Sequence, residues 1–276
     1  MTATANTLAS GPGWHVADVI CTASAGDRPV EEEHRDFCVA AVTSGTFRYR
    51  ARQGTAMLAP GSLLLGNSGT CYECGHEHGS GDRCLSFHFG PAYMDRIVAD
   101  VPGARTLTFG APRLPPLPAL APLLAEAEAA REIGDADAFE ELALRIAGVA
   151  VSMVSGVTDV RRGPSRRDQQ RVADAVRRIE LDAEAAISLS ALADGTATSP
   201  YHFLRAFRQV VGMTPYQYLL RTRLHRAAVR LRMSNDAISA IAFEAGFNDL
   251  STFNRRFRRV MGETPGRYRA RRAGCS

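Results

Sequence analysis

The sequence predicts a two-part α+β chain: a strand-rich N-terminal part, a helical linker and an all-α C-terminal third. Three observations predict it. Short apolar runs broken by Gly and Pro turns fill residues 14–110, helical periodicity takes over after a proline-rich stretch, and the last hundred residues contain an internal repeat. A chain of 276 residues is long enough for two cores.

In the first part, Phe37-Cys38-Val39-Ala40-Ala41-Val42, Thr46-Phe47-Arg48-Tyr49-Arg50 and Ser62-Leu63-Leu64-Leu65 read as strands separated by Ser-Gly, Gly-Thr and Pro-Gly turns. Many short strands with such punctuation predict a small β-sandwich or barrel. Pro112 to Pro122 reads as a linker. Helices are expected over Leu120 to Ile133 and Ala136 to Val154, the second with Phe139, Leu142, Ile146, Val149 and Met153 at helical spacing. That stripe suits packing onto the strands or a dimer interface equally. The basic stretch Arg161 to Arg167 marks a domain boundary. The expected domains are residues 14–110, a linker with dimerisation helices over 111–164, and residues 165–272.

No run reaches the roughly eighteen apolar residues of a membrane helix, so no membrane partner is expected. Met1 to Gly13 is small and polar and reads as a disordered lead-in, not a signal peptide. A cytoplasmic location is expected, where cysteines stay reduced. All 33 basic residues are arginine. Residues 165–276 hold 20 Arg against 10 acids, whereas residues 1–164 hold 13 Arg against 19 acids. A GC-rich genome explains Arg in place of Lys, but not this asymmetry, which points to a polyanion meeting only the C-terminal part.

The repeat has an offset of fifty residues. Phe203, Arg205, Phe207, Arg208, Val210, Gly212, Thr214, Pro215 and Tyr218 recur as Phe253, Arg255, Phe257, Arg258, Val260, Gly262, Thr264, Pro265 and Tyr268. Upstream of each copy stand a short apolar stripe (Leu189 and Leu192-Ala193; Ile238 and Ile241-Ala242) and a turn glycine, Gly195 or Gly246. Helix, tight turn and amphipathic second helix make a helix-turn-helix. In the first unit Phe203, Ala206, Phe207 and Val210 are expected inward, leaving Tyr201, His202, Leu204, Arg205, Arg208 and Gln209 outward or flanking. In the second, Leu250, Phe253, Phe257 and Val260 are expected inward, leaving Ser251, Thr252, Asn254, Arg255, Arg256, Arg258 and Arg259 outward. Second helices of this kind lie in the major groove of double-stranded DNA, early residues over base edges and later arginines on phosphate. The expected DNA-binding residues are therefore Tyr201, His202, Leu204, Arg205, Arg208, Ser251, Thr252, Asn254, Arg255 and Arg258. A helix from about Pro215 to Met233 should hold the units roughly one duplex turn, about 34 Å, apart. A bundle with a merely solvated basic face would require neither the repeat nor the two polar faces.

Ser199-Pro200-Tyr201-His202-Phe203 through Thr214-Pro215, and Ile241-Ala242-Phe243-Glu244-Ala245-Gly246-Phe247 through Thr264-Pro265, resemble the AraC/XylS family of bacterial regulators over about the last hundred residues. The resemblance implies a double helix-turn-helix and an N-terminal cupin-like β-barrel that senses a small effector or dimerises. It implies a transcriptional regulator, most often an activator, with RNA polymerase and a second copy of the chain as further partners. At Leu204 the sequence departs from relatives that carry a polar base-reading residue; a thymine methyl is the contact left to it.

The strand-rich part carries Cys71-Tyr72-Glu73-Cys74-Gly75-His76-Glu77-His78, then Gly79 to Arg83 as an expected hairpin loop, then Cys84-Leu85-Ser86-Phe87-His88-Phe89. With a side-chain period of two, Cys74, His76 and His78 share one face of the incoming strand, and Cys84, Ser86 and His88 share one on the return. Thiolate and imidazole at that density suit zinc or another soft divalent metal, with Cys74, His76, His78 and Cys84 as ligands and Cys71 in reserve. Thiol-based redox sensing and a plain hairpin remain open. In this register Glu73 and Glu77 share the other face with Leu85 and Phe89, an awkward mixture. Cys21 and Cys38 read as small buried residues and Cys275 as a tail thiol. With no further acid/base constellation, an enzyme is not expected. The competing reading is a cupin-type metalloenzyme domain fused to a DNA-binding module, and alkyl-transfer repair is a more distant one.

Overall fold

A computed structural model describes residues 3–24, 27–76, 81–104, 108–117, 120–155 and 164–271. His78, Cys275, residues 161–163 and part of the expected 79–83 loop lie outside the described residues. The chain divides into two compact units, residues 1–132 with 136–161, and residues 162–276 with the short stretch Ile133–Asp135.

Among the described residues the first unit holds ten strands: β1 (Ala3–Gly11), β2 (Trp14–Cys21), β3 (Glu31–His34), β4 (Phe37–Gly45), β5 (Phe47–Ala51), β6 (Gly54–Leu58), β7 (Leu63–Gly66), β8 (Thr70–Gly75), β9 (Asp82–Phe89) and β10 (Arg113–Leu114). They form a six-stranded sheet in the order β1-β2-β9-β4-β7-β10 and a four-stranded sheet in the order β3-β8-β5-β6. The architecture is thus a cupin-like sandwich of two open sheets, the first of the two forms that the strand pattern allows, in place of the barrel that the resemblance implies. The Met1 to Gly13 lead-in is corrected too. Within it, β1 pairs along β2 with a bulge between Thr7 and Ala9, because the polar pattern of an exposed edge strand mimics that of an unfolded tail.

The expected Cys/His hairpin does not form. Strand β8 pairs with β3 and β5, whereas β9 pairs with β2 and β4. The chain crosses from one sheet to the other between them. This removes the awkward mixture of the hairpin register. Glu73 lies on the outer side of the small sheet and pairs with Arg50 at 2.9 Å. Phe87 and Phe89 instead lie under helices, Phe87 against Phe139 and Phe89 against Tyr93.

Those helices are α1 (Pro91–Asp100), α2 (Ala121–Ile133) and α3 (Phe139–Val154). Helix α1 was not expected from the strand-like pattern, although Pro91 at its start and Tyr93, Met94, Ile97 and Val98 at helical spacing are its signals. Phe139, Leu142 and Ile146 of α3 are buried, and α3 packs against β1, β2, β4 and α1. Each such residue contributes about 2 kcal/mol of burial. Packing onto the sheet and α1 therefore accounts for Phe139, Leu142 and Ile146 of the stripe, while Val149 and Met153 are half-buried.

The second unit is all-α: α4 (Arg166–Leu181), α5 (Leu189–Asp194), α6 (Pro200–Val211), α7 (Pro215–Met233), α8 (Ile238–Glu244), α9 (Leu250–Met261) and α10 (Pro265–Ala270). Helix α4 opens with a capping box between Ser165 and Asp168. Its Val172, Ala175 and Ile179 form the buried stripe. No described helix is long and apolar enough to cross a membrane.

Candidate functional site

The two helix-turn-helix units share their punctuation. Ser199 caps α6 by accepting from the His202 backbone N–H, and Asp249 caps α9 by accepting from that of Thr252 at 2.6 Å. Both helices end on a left-handed glycine, Gly212 at φ 82° and Gly262 at φ 80°. Thr214-Pro215 and Thr264-Pro265 then cap the next helix. The fifty-residue repeat is thus a repeat of caps and aromatic anchors. Phe203 and Phe207 in one unit match Phe253 and Phe257 in the other, all four fully buried.

On α6, Tyr201, His202 and Arg205 are half-buried and Arg208 is exposed. The Arg205 guanidinium sits 6.0 Å from the Tyr201 ring. His202 Nε2 is 3.0 Å from Asp168 Oδ1, so this side chain already has a partner on α4. Burial raises the Asp168 carboxyl, but hydrogen bonds from Ser165 and His202 outweigh it and bring it down to about 2. Leu204 is 1% exposed, which corrects its placement over a base edge. Helix α6 packs against α4 as well as α5, so its buried arc is wider than the Phe203–Phe207 stripe alone suggests. Val210 and Val260, expected inside, are exposed, because each sits in the last turn beyond its neighbours' reach.

On α9, Ser251, Arg255, Arg258 and Arg259 are exposed, and Thr252 and Asn254 are half-buried. Arg255 donates to the Ile133 carbonyl at 2.6 Å and lies 3.3 Å from the Thr252 hydroxyl. Arg256, expected outward, is buried and paired with Asp135, which also accepts from the Tyr216 hydroxyl at 2.7 Å. Burial lowers the Arg256 guanidinium to about 10.

Helix α7 ties the units together through one buried arginine. Arg223 donates from Nε to the Ala183 carbonyl at 2.6 Å and from a terminal nitrogen to that of Ala185 at 2.8 Å. Gly246, at φ 89°, lies against this arginine: a Cβ there would sit 2.8 Å from the Glu184 carbonyl oxygen and 2.9 Å from Arg223 Nε. The first turn differs. Gly195 has φ −62°, and the left-handed position is taken by Ala197 at φ 51°.

Inside the sandwich, the even-numbered residues of β9 face the small sheet. Cys84 joins Cys38, Phe47, Tyr49 and Leu58 in one core cluster, with Cys74 and Tyr72 packed against it. A run of polar groups crosses this interior: His34 Nε2 to the Tyr49 hydroxyl at 2.9 Å, Cys38 Sγ to Ser86 Oγ at 3.4 Å, and Ser86 Oγ to His88 Nε2 at 2.8 Å. Tyr72 stacks on His34 and His15 on His88. Burial pushes His34 and His88 down to about 4, with His15 adding repulsion at His88. It also pushes Cys38 up to about 11, and Cys74 and Cys84 further. These are protonated interior thiols, the opposite of the low-pKa exposed thiolate that redox sensing needs. Cys71 is exposed, and slight burial and the Glu31 carboxylate raise it as well.

Of the expected metal ligands, the described residues bring His76 together with Cys21 and Asp82, not with Cys74 and Cys84. One ligand atom from each of these three lies within 4.8 Å of the others.

A family model described as a helix-turn-helix domain matches residues 192–271, and one described as an AraC-like ligand binding domain matches residues 21–145. The chain belongs to the AraC family. The HTH-type transcriptional activator RhaS of Escherichia fergusonii is similar at 42% identity over 84 residues, 30% of either chain. The bifunctional transcriptional activator/DNA repair enzyme AdaA of Bacillus subtilis is 36% identical over 83 residues, 30% of this chain and 39% of that one. The match thus spans about a third of the length of these curated relatives. A solved AraC-type transcriptional regulator from Chromobacterium violaceum is 28% identical over 41% of this chain and 100% of its own, with a TM-score of 0.37.

Two features of this AraC-family chain escape sequence reading. The clustering of Cys21 and Asp82 with His76 depends on which strands become neighbours, and the only signal was the position of Cys21 at the end of an apolar run. The burial of Arg256 depends on Asp135, 121 positions earlier, and no local pattern reports such a pairing.

Proposed function

We propose that the chain is a sequence-specific transcription regulator, acting in the cytoplasm on promoter DNA, whose N-terminal unit binds a small effector. The observation that carries this reading is the pair of second helices, α6 and α9, each opened by a side-chain cap and closed by a left-handed glycine, with one aromatic-anchored face and one polar, arginine-bearing face. Such a helix presents its first turns to base edges and its last to phosphate. Tyr201, Arg205, Ser251, Thr252, Asn254 and Arg255 read bases, and Arg208 and Arg258 hold the backbone. His202 acts from its bond to Asp168, and Arg255 reaches DNA by exchanging its bond to the Ile133 carbonyl. The polar run from His34 to His88 is the natural seat of an effector, since a pocket needs few but well-placed polar groups among apolar walls. A second copy of the chain and RNA polymerase complete the assembly, as in an activator.

The test is selection of the full chain on a random duplex library, followed by binding of Arg255→Ala and Arg258→Ala to the selected site and to scrambled DNA. Arg255→Ala should lose about 1–3 kcal/mol on the selected site alone. Arg258→Ala should weaken both duplexes about equally and flatten the salt dependence. Enrichment of no sequence would refute the reading.

A further inference from the structure

At one end of the sandwich three strands bring together groups from both sheets. Cys21, the last residue of β2, lies directly across from Asp82, the first of β9. Asp82 also lies across from Gly45 on β4. His76 follows the last residue of β8, in the other sheet. Each pair of these three residues offers ligand atoms within 4.8 Å.

The corner is buried and held tightly. The side chains of His76 and Asp82 are 1% and 7% exposed, and Cys21 is buried. Two left-handed glycines allow the backbones to close on it: a Cβ on Gly81 would sit 2.5 Å from the Cys21 carbonyl oxygen, and one on Gly45 would sit 2.7 Å from Asp82 Cα. Cys21 and Asp82 therefore stand on backbone with little room to move, as ligands of a preformed site must.

The hydrogen bonding of this corner is incomplete. His76 Nε2 is 2.6 Å from Asp82 Oδ1, and Cys84 Sγ donates to the other Asp82 oxygen at 3.5 Å. His76 Nδ1 is buried and has no hydrogen-bond partner. Because Nδ1 points away from Asp82, an ion shared with that carboxylate takes His76 at Nε2 and replaces the 2.6 Å hydrogen bond. The ring proton then sits on Nδ1, and the neutral imidazole offers Nε2 as its donor.

We propose that Cys21, His76 and Asp82 form a site for one divalent transition-metal ion of the zinc class. One sulfur, one nitrogen and one oxygen donor match the mixed preferences of that ion, and three protein ligands leave a fourth position for water or another small donor. On binding, the Cys21 thiol releases its proton to solvent and its sulfur takes the ion. The ion then joins the large sheet to the end of β8 in the small one. Cys74 and Cys84 remain interior thiols.

The experiment is a cobalt titration of the reduced, metal-free full chain, read by thiolate-to-cobalt charge-transfer absorption and by the metal retained after gel filtration. One ion per chain is expected. Cys21→Ser should abolish the charge-transfer band, His76→Gln and Asp82→Asn should weaken binding at least about tenfold, and Cys71→Ser should change nothing. Zinc should raise the melting temperature of the wild-type chain. If Cys21→Ser does not fold, the wild-type titration still decides: no band and no retained ion overturn the proposal. A band lost in Cys74→Ser or Cys84→Ser, but kept in Cys21→Ser, overturns it as well. No DNA is present in the assay, so its outcome is independent of the proposed regulatory role.

Discussion

The two helix-turn-helix units share their caps and phenylalanines but differ at the residues between them. In the first, Leu204 and Ala206 join Phe203 and Phe207 in the core; in the second, the equivalent positions hold half-buried Asn254 and buried Arg256. The first turn places an alanine in the left-handed region, the second a glycine pressed against Arg223. Repetition thus preserves what makes a helix start, stop and anchor, while the flanks adapt to different neighbours.

The largest test of that difference is at the turns. Gly246→Ala forces a Cβ at φ 89° into the Glu184 backbone and Arg223, and should cost about 3 kcal/mol or more. Gly195→Ala, at ordinary φ with its nearest neighbour the end of the Arg178 side chain at 3.3 Å, should stay within about 0.5 kcal/mol. Urea denaturation followed by helical circular dichroism measures both, and equal losses would contradict the asymmetry.

Next come the paired positions Leu204 and Asn254. Leu204→Ala should destabilise by about 3 kcal/mol through an unfilled core cavity and leave sequence preference unchanged. Asn254→Ala should barely move stability and should relax preference at one base pair of the selected site. A change of base preference with Leu204→Ala would restore that residue to the DNA face.

A smaller gain is expected at Ala197, the left-handed residue of the first turn. Relieving its left-handed strain with Ala197→Gly should stabilise by about 1 kcal/mol, the strain released being partly offset by glycine's extra chain entropy. A loss of stability would mean that the Ala197 methyl packs favourably enough to outweigh the strain.

Much of this was legible in advance. The repeat and the helix connecting its copies are local patterns of period, cap and turn and appear where the sequence predicts them, whereas the strand-rich first half begins earlier, at β1, and is interrupted by α1. The misreadings share a cause. One helix's own stripe places Leu204 outward and Val210 inward, whereas burial depends on what packs beside the helix. Pairing neighbours in sequence predicts the Cys/His hairpin, whereas β8 and β9 find partners in different sheets.

The caps, the aromatic anchors, the basic C-terminal third and the class of each half follow from composition and from interactions among residues a few positions apart, and so are written locally in the chain. The choice of two open sheets, the meeting of Asp135 with Arg256 and the placing of Cys21 and Asp82 beside His76 arise from the assembled fold alone. Those contacts join residues many positions apart, and the strand order and helix packing that create them are set by burial of the whole core, not by any local propensity.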